Sequence, residues 1–137
     1  ELNAVKVIQE VKPNYNYMKE VISFVIRLVL TIIIEIALAI IFGFKKKSQI
    51  LIIFIVNVIT QIFLNGLLNI MTYFEGQLVA MVFFVISEMF ILIAESLFYA
   101  YYFKTQRIKA ALYGFLANMI SFGAGFLLYI LEQTIIK

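Results

Sequence analysis

Three glutamates, Glu35, Glu88 and Glu95, stand inside runs of apolar residues long enough to cross a membrane. A charged side chain near mid-bilayer costs roughly 3 kcal/mol or more on insertion scales, so each needs a reason to be there. A carboxyl group in that setting can bind a cation, exchange a proton for one, or pair with a polar group on another helix. Neutral partners are close at hand in Asn57, Thr60, Gln61, Asn65, Asn118 and Ser121. These residue types suit a hydrophilic pocket or pathway for a proton, a metal cation or a cationic solute. They do not specify a metal, and no cofactor is expected.

Other chemistry is made improbable by omission. The chain has no Asp, His, Cys or Trp. A Cys/His zinc site, a Ser-His or Cys-His nucleophile pair and a disulfide framework all lack their residues. An enzyme with Glu88 and Glu95 as an acid–base pair is the least supported reading. The two lie about two helical turns apart, and no nucleophile is obviously placed beside them.

Helical geometry groups the polar residues. Asn57, Gln61, Asn65 and Asn69 repeat at four and form one slowly drifting stripe. Thr31, Glu35, Ala39 and Gly43 repeat at four as well. Glu88 and Glu95 share a face about 10 Å apart along the axis, and Tyr99 and Tyr102 extend it. Counted from the basic helix ends, Glu35, Asn57, Glu95 and Asn118 all lie about nine residues in, or roughly 13 Å. Thr31, Gln61, Glu88 and Ser121 form a second level beyond them.

A plainer reading stands beside the functional one. Protonated Glu can pair with Asn or Gln across helices, contributing about 0.6–2 kcal/mol each. For the isolated amides, such pairing is the simpler account. For three glutamates the larger cost favours function. Ala117, Ser121 and Gly125 form a small-residue ridge suited to close helix contact. Tyr99, Tyr101 and Tyr102 read as interfacial aromatics rather than ligands.

The elements that must position these residues follow from composition. Of 137 residues, 64% are hydrophobic, and mean hydropathy is +1.04. Ordinary soluble domains are roughly 45–50% apolar, so the surrounding solvent must be lipid. The expected fold is all-α, a four-helix up-down transmembrane bundle within a membrane domain spanning 20–137. Its spans fall at about 20–44, 48–71, 77–103 and 110–131, each long enough for a hydrocarbon core. Strands are excluded because isolated ones leave their backbone unpaired in lipid. Residues 1–19 form a polar head or linker interrupted by Pro13, with Tyr15 and Tyr17 at the interface. Periodicity there fits helix or strand equally. The first residue is Glu1, and the expectation is a processed or truncated chain with an upstream signal or anchor. No internal repeat is evident.

Sidedness follows from the loops. Lys45, Lys46 and Lys47 join the first two spans, and Lys104, Arg107 and Lys109 join the last two. The middle loop has Glu75 and no Lys or Arg. The positive-inside rule places both basic loops in the cytoplasm and both termini outside, in a multi-pass cell-membrane protein. Lys6, Lys12, Lys19 and Arg27 oppose this weakly, and Arg27 is expected to snorkel outward. The Lys45–Lys47 run would also contact anionic lipid. A net charge of +3 tied to helix ends does not suggest nucleic acid.

The chain resembles small uncharacterised four-span membrane proteins of Gram-positive bacteria. The resemblance rests on Glu35 followed by Phe42-Gly43-Phe44-Lys45-Lys46, on the run from Asn57 to Asn65, on the Glu88/Glu95/Tyr99 face, and on Asn118-Met119-Ile120-Ser121-Phe122. It covers about residues 22–131 and implies topology, with no activity attached. Small multidrug exporters also have four spans and a first-span Glu, but typically use a substrate-site Trp, absent here. Fluoride channels share the size without the glycine-arginine pattern, and intramembrane metalloproteases need His.

Two functional readings emerge. One is an element of a cation transporter, proton-coupled transporter or channel, with Glu35, Glu88 and Glu95 as ligands or proton carriers. A homodimer or larger membrane complex would help enclose its path. The other is a structural or interaction subunit whose polar stripe pairs with helices of a partner.

Overall fold

The computed structural model describes residues 17–135, and the polar head lies almost wholly outside them. The four long helices are α1 (Tyr17–Ile41), α2 (Lys47–Glu75), α3 (Gln77–Tyr102) and α4 (Arg107–Ile135). All are long and apolar enough to cross a membrane. No strand occurs among the described residues. The chain is an all-α four-helix bundle, and its apolar helices fit a multi-pass integral membrane protein whose outward faces meet lipid.

The helices run past the expected spans at most ends, because hydropathy marks the lipid-covered stretch and not the hydrogen-bonded one. While α3 keeps its expected start and stops one residue early, the largest exception is the end of α1. There Gly43 adopts φ +90°, in the left-handed region that glycine tolerates best. The Gly43 N–H donates to the Ile40 carbonyl at 3.0 Å and the Phe44 N–H to the Ala39 carbonyl at 2.8 Å. This is a Schellman stop, which closes the helix and folds the following residue back. Phe44 is thereby fully buried instead of continuing the span. A second left-handed glycine, Gly76 at φ +87°, alone separates α2 from α3. At the start of α2 the Gln49 side chain accepts the Lys46 N–H at 3.2 Å.

Such short turns force antiparallel neighbours. Each helix packs on the next and α4 closes the ring on α1, and among the described residues neither diagonal pair of helix backbones comes close. The densest packing lies at the basic end. Phe44 stacks on Phe103 at 4.9 Å between ring centroids and tilts against Tyr113 at 5.5 Å. Tyr99 meets Tyr113 at 5.5 Å. Tyr99 is completely buried, so it belongs to the core and not to the interface where its position near a helix end suggested.

The small-residue ridge behaves unevenly. Ala117 and Ser121 are buried against neighbours. At Gly125 an added Cβ would meet nothing within 4 Å, so no helix presses against it. The close approach is at Gly114, where a Cβ would come within 2.9 Å of the Ser96 backbone and 3.0 Å of the Tyr99 ring. Near Gly125 a cavity takes the place of a neighbouring helix. Gly114→Ala is therefore expected to destabilise the bundle by about 1–3 kcal/mol. Gly125→Ala should be neutral or slightly stabilising through helix propensity. Equilibrium unfolding of the two variants in detergent checks the contrast.

Candidate functional site

The inner face of α1 presents Glu20, Ser23, Arg27, Thr31, Glu35 and Ala39 in order, at spacings of three and four that keep one side of a helix together. Glu35 is wholly buried, and Glu95 on α3 is 2% exposed. Each carboxylate meets an asparagine from the next helix. Asn57 Nδ2 donates to Glu35 Oε2 at 2.8 Å, and Asn118 Nδ2 donates to Glu95 Oε2 at 2.9 Å. Both amides also donate to a carbonyl one turn back on their own helix, Ile53 at 3.0 Å and Gly114 at 2.9 Å. That second bond orients the amide, since the reversed amide would set oxygen against oxygen.

Each carboxylate also takes a hydroxyl from the other helical hairpin. Thr60 Oγ1 lies 2.6 Å from Glu95 Oε1, and Ser121 Oγ lies 3.4 Å from Glu35 Oε1. Asn57 and Thr60 are three residues apart, as are Asn118 and Ser121. The hydrogen bonds thus expose an internal repeat that hydropathy conceals: a Glu on the first helix of each hairpin, then Asn-x-x-Thr or Asn-x-x-Ser on the second. Glu35 and Asn57 are separated by 22 residues, and Glu95 and Asn118 by 23. That one-residue offset, together with unlike sequence between the markers, hides the repeat from a search at fixed period.

The hydroxyls can reverse. Thr60 has one hydrogen and three acceptors in reach: Glu95, the Val56 carbonyl at 3.0 Å and the Asn57 carbonyl at 3.2 Å. When Glu95 is ionised, Thr60 can donate to it. When Glu95 is protonated, Thr60 can turn to its own helix and accept from the acid. Ser121 has the same choice between Glu35 and the Asn118 carbonyl at 3.2 Å. Each carboxyl therefore has one fixed donor and one hydroxyl that can serve either its ionised or its protonated form.

The second level is set above this centre. Glu88 is half-buried and lines a chamber of about 10 Å³ with Arg27, Thr31, Gln61, Asn65 and Ser121. That is about the space one water needs. Arg27, expected to snorkel outward, instead lines this chamber because it shares the α1 face of Thr31 and Glu35. Asn65 does not join the carboxylates; it donates to the Gln61 carbonyl of its own helix at 2.8 Å. Arg27, Phe84 and Gly125 also line a larger chamber of about 110 Å³. This one reaches the end of the bundle away from the basic loops, at Glu20, Gln77 and Glu132.

Below the centre the aromatic cluster closes the bundle. Tyr113 donates its hydroxyl to the Glu35 backbone carbonyl at 2.9 Å, and the Tyr99 hydroxyl lies 3.4 Å from Asn57 Nδ2. Tyr113 was not legible as a site residue, because an aromatic in a greasy span has no signal of its own. Its spacing of five before Asn118 places it about one turn nearer the basic end, which is the only cue.

No protein-family profile, curated protein or solved structure matches this chain.

The pairing predicts its own energetics. Double-mutant cycles on Glu35→Gln with Asn57→Ala, and on Glu95→Gln with Asn118→Ala, should each give coupling of about 0.6–2 kcal/mol. Glu35→Gln with Asn65→Ala should give coupling near zero. Unfolding in mixed micelles reads all three.

Proposed function

We propose that the chain is a proton-handling element of a membrane transporter or channel, with Glu35 and Glu95 as the groups that take up and release the proton. The observation that carries this reading is the pair of reversible hydroxyls, one beside each buried carboxyl. A purely structural pair needs only one protonation state, and these sites serve both.

The donor set favours a proton over a metal cation. Metal cations of the hard kind want several oxygen ligands. Here both amides turn N–H groups toward the carboxylates. Among the described residues no group of three or more His, Cys, Asp or Glu is placed to hold a metal ion. Glu88 is the entry group between the larger chamber and the centre, reached through Ser121.

The inward pairing also weighs against the interaction-subunit reading. Asn57, Thr60, Asn118 and Ser121 all spend side-chain hydrogen bonds inside the chain. Little of the polar stripe is left for a partner helix. The chambers lie within one chain, which supports a path that does not need a second copy to enclose it.

Infrared difference spectra of the protein in lipid, recorded across a pH change, test the reading. A carboxyl carbonyl band should change with pH and be lost in part in Glu35→Gln and in Glu95→Gln. A spectrum identical in wild type and both variants would sink it. We further propose that the basic loops face the cytoplasm, so the open chamber faces outside. The chain has no cysteine, so single replacements are clean. In intact cells an impermeant thiol reagent should label Glu75→Cys and leave Lys46→Cys untouched, and the opposite pattern would invert the topology.

A further inference from the structure

The larger chamber carries charges that proton entry alone does not need. Along the inner face of α1, Glu20, Ser23 and Arg27 succeed one another from the mouth inward. Ser23 Oγ donates to Glu132 Oε1 at 3.0 Å, which fixes a carboxylate at the level of Ser23. Arg27 sits one turn deeper, about 6 Å along the axis. Its Nε is buried and has no hydrogen-bond partner among the described residues. A guanidinium is always charged, and its planar fork matches a carboxylate. Leaving such a donor buried and unpaired is costly, and the guanidinium carries four further N–H donors beyond Nε.

The wall carries both signs. Lys19 and Arg27 line the chamber together with Glu20 and Glu132. A simple anion on Arg27 would face two carboxylates, and a simple cation on Glu132 would face Arg27. A molecule with a carboxylate at one end and an ammonium at the other satisfies both. A cavity of about 150 Å³ holds benzene, so the 110 Å³ here has room for roughly four to five heavy atoms, and glycine fits within it.

We propose that the chamber binds a small zwitterionic amino acid, its carboxylate on Arg27 and its ammonium on Glu132. As a transport substrate this ligand rests on the proton-handling reading above, but its binding does not.

Equilibrium binding to the purified chain in lipid nanodiscs tests it, with radiolabelled glycine as probe and acetate and methylamine as competitors. Glycine should bind. Each single-charge competitor should be weaker by roughly tenfold or more, since each lacks one charged hydrogen bond. Arg27→Gln, Arg27→Lys and Glu132→Gln should each weaken glycine by a similar factor, with helix content by circular dichroism unchanged. Arg27→Lys keeps the charge and loses the fork, so its loss would mark a bidentate contact. Acetate or methylamine matching glycine on the wild-type protein overturns the proposal, and that comparison needs no variant to fold. So does glycine affinity indifferent to Arg27→Gln, or no glycine binding up to about 10 mM. Failure here and failure of the proton reading are separable. The infrared band reports Glu35 and Glu95, neither of which lines this chamber.

Discussion

Inside a bilayer there is no water to receive a polar group, so a buried carboxylate must find its partners within the protein. This constraint organises the bundle. Glu35 and Glu95 sit on diagonally placed helices, and each is held by an asparagine from the following helix. That bond closes each hairpin. The hydroxyls of Thr60 and Ser121 then cross from one hairpin to the other. Two acids with crossed partners tie all four helices at one level. Lipid provides no hydrophobic force between helices, so such contacts and close packing must hold the bundle together. Gly114 supplies the packing beside Asn118, letting α4 lie directly on the Ser96 backbone.

The fold and much of the site were legible because both are written in helical period. Long apolar runs gave the spans and the up-down bundle, and the structure adds that α4 closes on α1. Counting depth from the basic ends placed Glu35, Asn57, Glu95 and Asn118 together, and the hydrogen bonds join them in pairs. What could not be read depends on facts that spacing does not carry. The fate of Arg27 turns on whether its face meets lipid or a chamber, and only packing decides that. Gly125 and Gly114 look alike in sequence, yet one borders open space and the other a backbone at van der Waals limit. The end of α1 depends on one glycine taking a positive φ and sending Phe44 inward.

The repeat shows why hydropathy is a poor guide to symmetry in such proteins. Both hairpins are apolar almost throughout, so the repeat lives in three polar residues each. Outside these the halves differ. The α2 stripe continues outward as Gln61 and Asn65, whereas α4 continues as Phe122 and Phe126. In α3, Tyr99 follows Glu95 by four, whereas Ala39 follows Glu35 in α1. Parallel repeats about an axis along the membrane normal commonly enclose a site at their interface, and unlike residues there give its two ends different surroundings.

That difference is built into the two ends of the bundle. Toward the basic loops the helices are sealed by rings from α3, α4 and the turn after α1, and Tyr113 is tethered to the Glu35 carbonyl. Toward the other end they part around polar walls. The basic end can open only if Phe44 separates from Phe103 and Tyr113, against their burial and ring contact. The two ends are therefore built of different materials. The hydroxyls of the carboxyl centre can serve either protonation state with heavy atoms still, while the aromatic floor can yield only by moving helices. Because Tyr113 bonds the backbone of Glu35 itself, the floor and the centre share a residue.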